Sequence, residues 1–158
     1  MHEFLEKTAA DVMTVPCKFV STDMTLGELH RRFELDALEA YPVVCDGVVL
    51  GIISKFEALR PFAFSTACLL PHYAEIMGAR VGQIMSRDVP CVRPDTRLTH
   101  VLQTMVQHRA ESLPVVEADG RLVGVVGRED IFQALRASTF GAETTTVDPD
   151  EVACRLTG

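Results

Sequence analysis

The sequence predicts an α/β chain of the α+β type, built from two strand–helix–strand–strand–helix repeats that pack on each other. Three observations lead there. The chain carries an internal duplication in constant register. Each copy holds an Asp-Gly pair between two apolar runs. Each copy also has a helix whose apolar positions recur at the 3.6-residue period.

The duplication is read directly. Asp11-Val12-Met13-Thr14 recurs as Gln83-Ile84-Met85-Ser86, and Pro16-Cys17 as Pro90-Cys91 with two extra residues before it. Thr22-Asp23-Met24-Thr25-Leu26 recurs as Pro94-Asp95-Thr96-Arg97-Leu98. Glu39-Ala40-Tyr41-Pro42-Val43-Val44 recurs as Glu111-Ser112-Leu113-Pro114-Val115-Val116. Asp46-Gly47 and the apolar run after it recur at Asp119-Gly120. The offset is the same at Met13/Met85, Leu26/Leu98 and Pro42/Pro114 and grows by one residue at Ala118. Chance does not hold that register. The first repeat covers residues 8–62 and the second 80–137. A linker with helical segments (63–79) joins them and a tail (138–158) follows. A unit of that size is too small to bury a good core alone, so the halves are expected to share one.

Each element follows from its residues. A short strand is expected at Lys18 to Ser21, matched by Cys91 to Arg93. In the next helix Thr25 and Glu28 have capping-box spacing, with Leu26, Leu29 and Phe33 on one face. Its counterpart places Leu98, Val101, Leu102, Met105 and Val106 on one stripe. Two strands follow, joined by Asp-Gly, whose turn needs positive φ. A last helix runs from Lys55 to Phe62, and in the second copy from Arg128 to Ala137. The linker reads as a helix extension, a break at Pro71 and a second short helix. The Thr-rich, acidic tail from Ser138 onward reads as partly disordered.

Composition narrows the function. The chain has 158 residues, is 47% hydrophobic and carries a formal charge of −7. That suits a folded protein and argues against nucleic acid as partner, which calls for a basic face. The most apolar segment, Tyr41 to Ser54, is broken by Asp46-Gly47 and is too short to span a bilayer. Five cysteines without a CxxC pair argue against a disulfide framework and for a reducing, cytoplasmic setting. His30, His72, His100 and His108 have no ligand-type neighbours at metal spacing.

Val-Met-Thr, then Tyr-Pro-Val-Val, Asp-Gly and Gly-Ile-Ile-Ser-x-x-Glu together resemble a CBS domain, the module named after cystathionine β-synthase. The second copy, with Ile-Met-Ser, Leu-Pro-Val-Val, Asp-Gly and Gly-Val-Val-Gly-x-x-Asp-Ile, is similar. The resemblance implies a pseudo-twofold pair with two three-stranded sheets packed together and two clefts between them. It implies AMP, ADP, ATP or S-adenosylmethionine as regulatory ligand, no required cofactor, and a homodimer acting on another protein. Many such pairs are fused to an enzyme or transporter; the repeats, linker and ends leave no room for one here.

The resemblance also implies site residues. Asp130 is the candidate for the ribose hydroxyls, since a carboxylate accepts from two adjacent hydroxyls. The family's Ser or Thr three residues earlier is Gly127 here, so phosphate contact falls to backbone N–H and Arg128. The opposite wall of this first cleft is Thr14, Val15, Cys17, Lys18, Ala40, Tyr41 and Pro42. The second cleft would use Glu57, Ser54 and Lys55 with Ser86, Cys91, Val92, Ser112, Leu113 and Pro114. Plainer readings stand beside these. Asp130 suits a helix start with no ligand, Ser54 suits an N-cap, Tyr41 suits a core, and Met13 and Met85 read as core plugs.

The leading expectation is a non-catalytic sensor. The alternative is a homodimeric interaction module with degenerate clefts, favoured by Glu57 and Gly127. An enzyme is the weakest reading, because no phosphate-binding glycine loop, nucleophile elbow or acid–base cluster is present.

Overall fold

The structure is a computed structural model that describes residues 2–63 and 69–140, with side chains from 3 to 63 and 73 to 139. A short helix, α1 (His2–Glu6), precedes the first repeat, which opens with α2 (Ala9–Val12). Its other elements are β1 (Val20–Ser21), α3 (Leu26–Asp36), β2 (Ala40–Cys45), β3 (Val48–Ser54) and α4 (Lys55–Ala63). Then come α5 (Leu69–Gly78) and α6 (Val81–Ile84), followed by α7 (Leu98–His108), β4 (Ser112–Val116), β5 (Leu122–Gly127) and α8 (Arg128–Phe140).

Local chemistry sets the boundaries. Thr25 caps α3: its Oγ1 accepts from the Glu28 N–H at 3.3 Å, and Glu28 returns a carboxylate to the Thr25 N–H at 2.9 Å. Both α3 and α7 end on a residue in the left-handed region, Ala37 (φ 52) and Arg109 (φ 51). The first hairpin turns through Asp46 (φ 51) and Gly47 (φ 83), as a two-residue turn requires. The second has positive φ at Gly120 alone. The additional Ala118 lengthens that loop, so only the glycine has to adopt the left-handed region.

In the first sheet β1 pairs with β2 in parallel (Val20 opposite Val43), and β2 with β3 antiparallel. The second sheet has only β4 and β5. The third strand expected at Cys91 to Arg93 shrinks to one parallel bridge, Val92 to Val115. Pro90 and Pro94 flank it and offer no N–H to extend the ladder. Pro71 does not break α5; it is the third helical residue, in the first turn where a backbone N–H lacks an intrahelical partner anyway. The tail does not begin at Ser138. That side chain is 6% exposed inside α8 and donates to the Ala134 carbonyl at 2.9 Å. Residues 64–68 of the linker and 141–158 of the tail lie outside the described residues.

The two halves exchange their leading segments. Thr14 bridges Val125 of β5, whereas Ser86 bridges Ile52 of β3. Phe4, Ala9 and Met13 belong to the core around β4, β5, α7 and α8. Val81 and Met85 belong to the core around β2, β3 and α3. The hairpins also meet tip to tip: Val49 N–H donates to Gly120 at 3.1 Å and Leu122 N–H to Gly47 at 3.0 Å. Each half is thus completed by chain from the other.

Candidate functional site

A cleft of about 660 Å³ opens where the first turn of α8 faces the segment after α2. Asp130 stands in that first turn. Its Oδ2 accepts the Gly127 N–H at 2.7 Å, which caps the helix. Its other oxygen takes no hydrogen bond from a described residue, which leaves it able to accept from a diol. Gly127 lies beside it with room to spare, since a Cβ there would come no closer than 3.5 Å to Asp130.

The opposite wall carries Thr14, Pro16, Cys17 and Lys18, together with Ala40 and Pro42 at the start of β2. The peptide bond before Pro16 is cis. Lys18 Nζ lies 2.6 Å from Asp36 Oδ1 at the end of α3. Arg128 lies 3.4 Å from Glu111 Oε1. This pair mirrors Lys55 and Glu39, 2.8 Å apart at the equivalent positions. Burial pushes the Cys17 thiol above its ordinary range, so it stays protonated and unreactive at neutral pH.

Eight of the ten residues expected in this cleft line it: Asp130, Arg128, Gly127, Thr14, Cys17, Lys18, Ala40 and Pro42. Two do not. Val15 is 60% exposed; Thr14 and Pro16 face the cleft and the residue between them turns to solvent. Tyr41 is fully buried, against Phe33 at a ring distance of 5.1 Å. Its hydroxyl is 2.7 Å from Asp36 Oδ2 and 3.0 Å from the Arg32 carbonyl. Burial, then the Asp36 carboxylate, pushes the Tyr41 hydroxyl up to about 12. Tyr41 is therefore core, and acts on the cleft only by fixing the acid that holds Lys18.

Neither this cleft nor the smaller cavities along α4 and α8 gather the second expected set. Leu113, Pro114 and Val92 are buried. Ser112 lines the first cleft instead. Lys55 reaches Glu39 and lines a separate cavity between α3, α4 and α5. Glu57 Oε2 accepts the Ser54 backbone N–H at 2.9 Å and the Ser54 hydroxyl, and Oε1 takes no hydrogen bond from a described residue, as at Asp130. Ser86 bridges β3, and the exposed Cys91 sets its sulfur near the Val89 carbonyl. Sequence reasoning missed Glu39, Leu38, Glu111, Glu129 and Phe132 in the first cleft. The repeat aligns Glu39 with Glu111, so that symmetry was an available signal. Among the described residues no group of three or more His, Cys, Asp or Glu is placed to hold a metal.

The comparisons with known proteins agree with this geometry. A family model described as CBS domain matches residues 9–63 and again 81–137. The chain belongs to the CBS-domain family. Its tandem arrangement is a CBS pair. A homoserine O-acetyltransferase of Methanococcoides burtonii is 28% identical over 133 residues. The match takes in 83% of this chain but only 25% of that enzyme, so the CBS pair spans about a quarter of its length. Two solved CBS pairs share the fold. One is protein MJ0100 in complex with 5′-methylthioadenosine and S-adenosyl-L-methionine: TM-score 0.71, 21% identity, 84% of this chain and 98% of that one. The other is CBSX2 of Arabidopsis thaliana in complex with AMP: TM-score 0.72, 23% identity, and the same coverages. No helix among the described residues is long and apolar enough to cross a membrane.

Proposed function

We propose that this CBS pair is a non-catalytic sensor that takes an adenosine-containing ligand in the cleft facing Asp130. AMP, ADP, ATP and S-adenosylmethionine are the candidates. The observation that carries the reading is the free Asp130 oxygen, opposite a wall of small apolar residues ending at Ala40 and Pro42. A base fits between such walls while a carboxylate holds the ribose. The ligands of protein MJ0100 and of CBSX2 support the class. Because Pro42 and Asp130 belong to different halves, occupancy favours one relative placement of them, and a partner senses that bias. Free Cys17, Cys45 and Cys91 support a reducing, cytoplasmic setting.

Calorimetry with the four candidates tests this. At least one is expected to bind, and Asp130→Ala to weaken it about tenfold, as expected for a lost charged hydrogen bond. Silence from all four at millimolar concentration ends the reading.

A second reading has its own support. Glu57 and Gly127 depart from the family pattern, and the Ser54 hydroxyl donates to Glu57. Phe56, Leu59 and Phe132 are 73%, 63% and 60% exposed on α4 and α8. A homodimeric interaction module would cover those side chains. It predicts a dimer in sedimentation, lost in Phe56→Lys/Leu59→Lys, with no ligand response.

A further inference from the structure

The charges around the cleft are unbalanced. Lys18 and Arg128 are its two cationic wall residues, against Glu111, Glu129, Asp130 and Glu39, the last of which Lys55 pairs at 2.8 Å. Neither cation is idle. Lys18 is bonded to Asp36 at 2.6 Å and Arg128 is paired with Glu111 at 3.4 Å. Where Ser54 stands in the first half, the second has Gly127, which brings no hydroxyl to the mouth of α8.

A phosphate chain is poorly served by such a wall. To recruit Lys18 it must take the ammonium from Asp36, which also receives the Tyr41 hydroxyl from the core side. To recruit Arg128 it must displace Glu111 and then sit beside that carboxylate and Glu129. Each additional phosphate adds charge of the sign already in excess. A neutral thioether or a sulfonium in the same place meets no such cost, and the sulfonium gains from the acids.

We propose that the cleft ranks adenosyl ligands by charge, taking those with a neutral or cationic 5′ substituent ahead of AMP, and AMP ahead of ADP and ATP. This rests on the adenosyl-binding reading above. Glu111 and Glu129 are the specificity-determining residues. Glu111 withholds Arg128, and Glu129 adds a negative charge at the mouth that is paired with no described residue.

The test is titration of the full chain with 5′-methylthioadenosine, S-adenosylmethionine, AMP, ADP and ATP, without divalent cations, at low and high salt. Affinity is expected to fall roughly threefold or more with each phosphate beyond AMP at low salt, and the spread to narrow at high salt. In Glu111→Gln and in Glu129→Gln the ratio of ATP to methylthioadenosine affinity is expected to rise roughly threefold. ATP or ADP binding as tightly as methylthioadenosine, or ratios unmoved in both variants, overturns the ranking and leaves the adenosyl site standing. Silence from all five ligands overturns the site, and the ranking with it.

Discussion

Asp130 does two jobs at one position. One oxygen caps α8 through the Gly127 N–H, and the other faces the cleft. The two jobs separate by substitution. Asp130→Ala removes the cap and is expected to cost about 1 kcal/mol of stability. Asp130→Asn keeps an oxygen that can accept from the Gly127 N–H and is expected to lose less stability than Asp130→Ala. Both should lose ligand affinity if the carboxylate holds the ribose. Chemical denaturation alongside calorimetry checks this; equal stability loss in both variants would refute the capping role. Tyr41 offers a second test. Its hydroxyl ionises near 10 when unfolded and at about 12 in the fold. The unfolded chain therefore releases this proton first as pH rises. The contribution is complete below pH 10 and is lost as pH climbs through about 12. At the acid end Lys18, then the Tyr41 hydroxyl, hold the Asp36 carboxyl below its ordinary range. That contribution is present above the usual carboxylate pKa and is lost on acidification. Urea midpoints measured at pH 8 and pH 11 are expected to fall further in the parent than in Tyr41→Phe. At this scale the family resemblance implied that Asp130 and Lys18 share a cleft, and both line it. It left Tyr41 open, because an aromatic ring beside a proline suits a wall or a core equally. Its acid partner, Asp36, lies at the far end of another helix.

At the scale of elements the sequence was most legible where local chemistry decides. The Thr25–Glu28 box, the two amphipathic helices and the Asp-Gly hairpins all appear where the pattern puts them. It was least legible where the ladder depends on neighbours. Val92 has the residues of a strand and keeps only a bridge, because the flanking prolines remove donors. The Met-Thr and Met-Ser segments read as openings of their own repeats, yet each is used by the other half. Two glycines mark these crossings. A Cβ on Gly51 would lie 2.6 Å from the Ser86 carbonyl oxygen and 2.8 Å from Met85 Sδ. A Cβ on Gly124 would lie 2.6 Å from Met13 Sδ, with no backbone atom among its nearest neighbours. A side chain yields more easily than a bridged carbonyl. Gly51→Ala is therefore expected to cost about 2–3 kcal/mol and Gly124→Ala about 1 kcal/mol. Thermal unfolding of the two variants gives the order, and a reversed order would mean that the Ser86 segment moves freely.

At the scale of the whole molecule the exchange decides how the chain unfolds. The N-terminal helix α1 packs on α7 and α8, so Phe4, 3% exposed, is core of the second half although it precedes the first. Val81 and Met85 are core of the first half although they open the second. Neither half keeps its core if the other comes apart, and cooperative unfolding in one step follows. Phe4→Ala puts this at risk directly. Removing a buried phenylalanine costs about 3–5 kcal/mol. The chain supplies its own reporter, since it has two tyrosines and no tryptophan. Tyr41 sits in the first core, and Tyr73 lines the cavity beside it between α3, α4 and α5. Tyrosine fluorescence therefore reports on the half that Phe4 does not touch. If the halves share one equilibrium, Phe4→Ala shifts the fluorescence midpoint and the far-ultraviolet dichroism midpoint by the same amount. If the fluorescence midpoint stays at the parent value while dichroism falls in two steps, the halves fold as separate bodies. The cleft between Asp130 and Pro42 would then lack the rigid frame that a sensor needs.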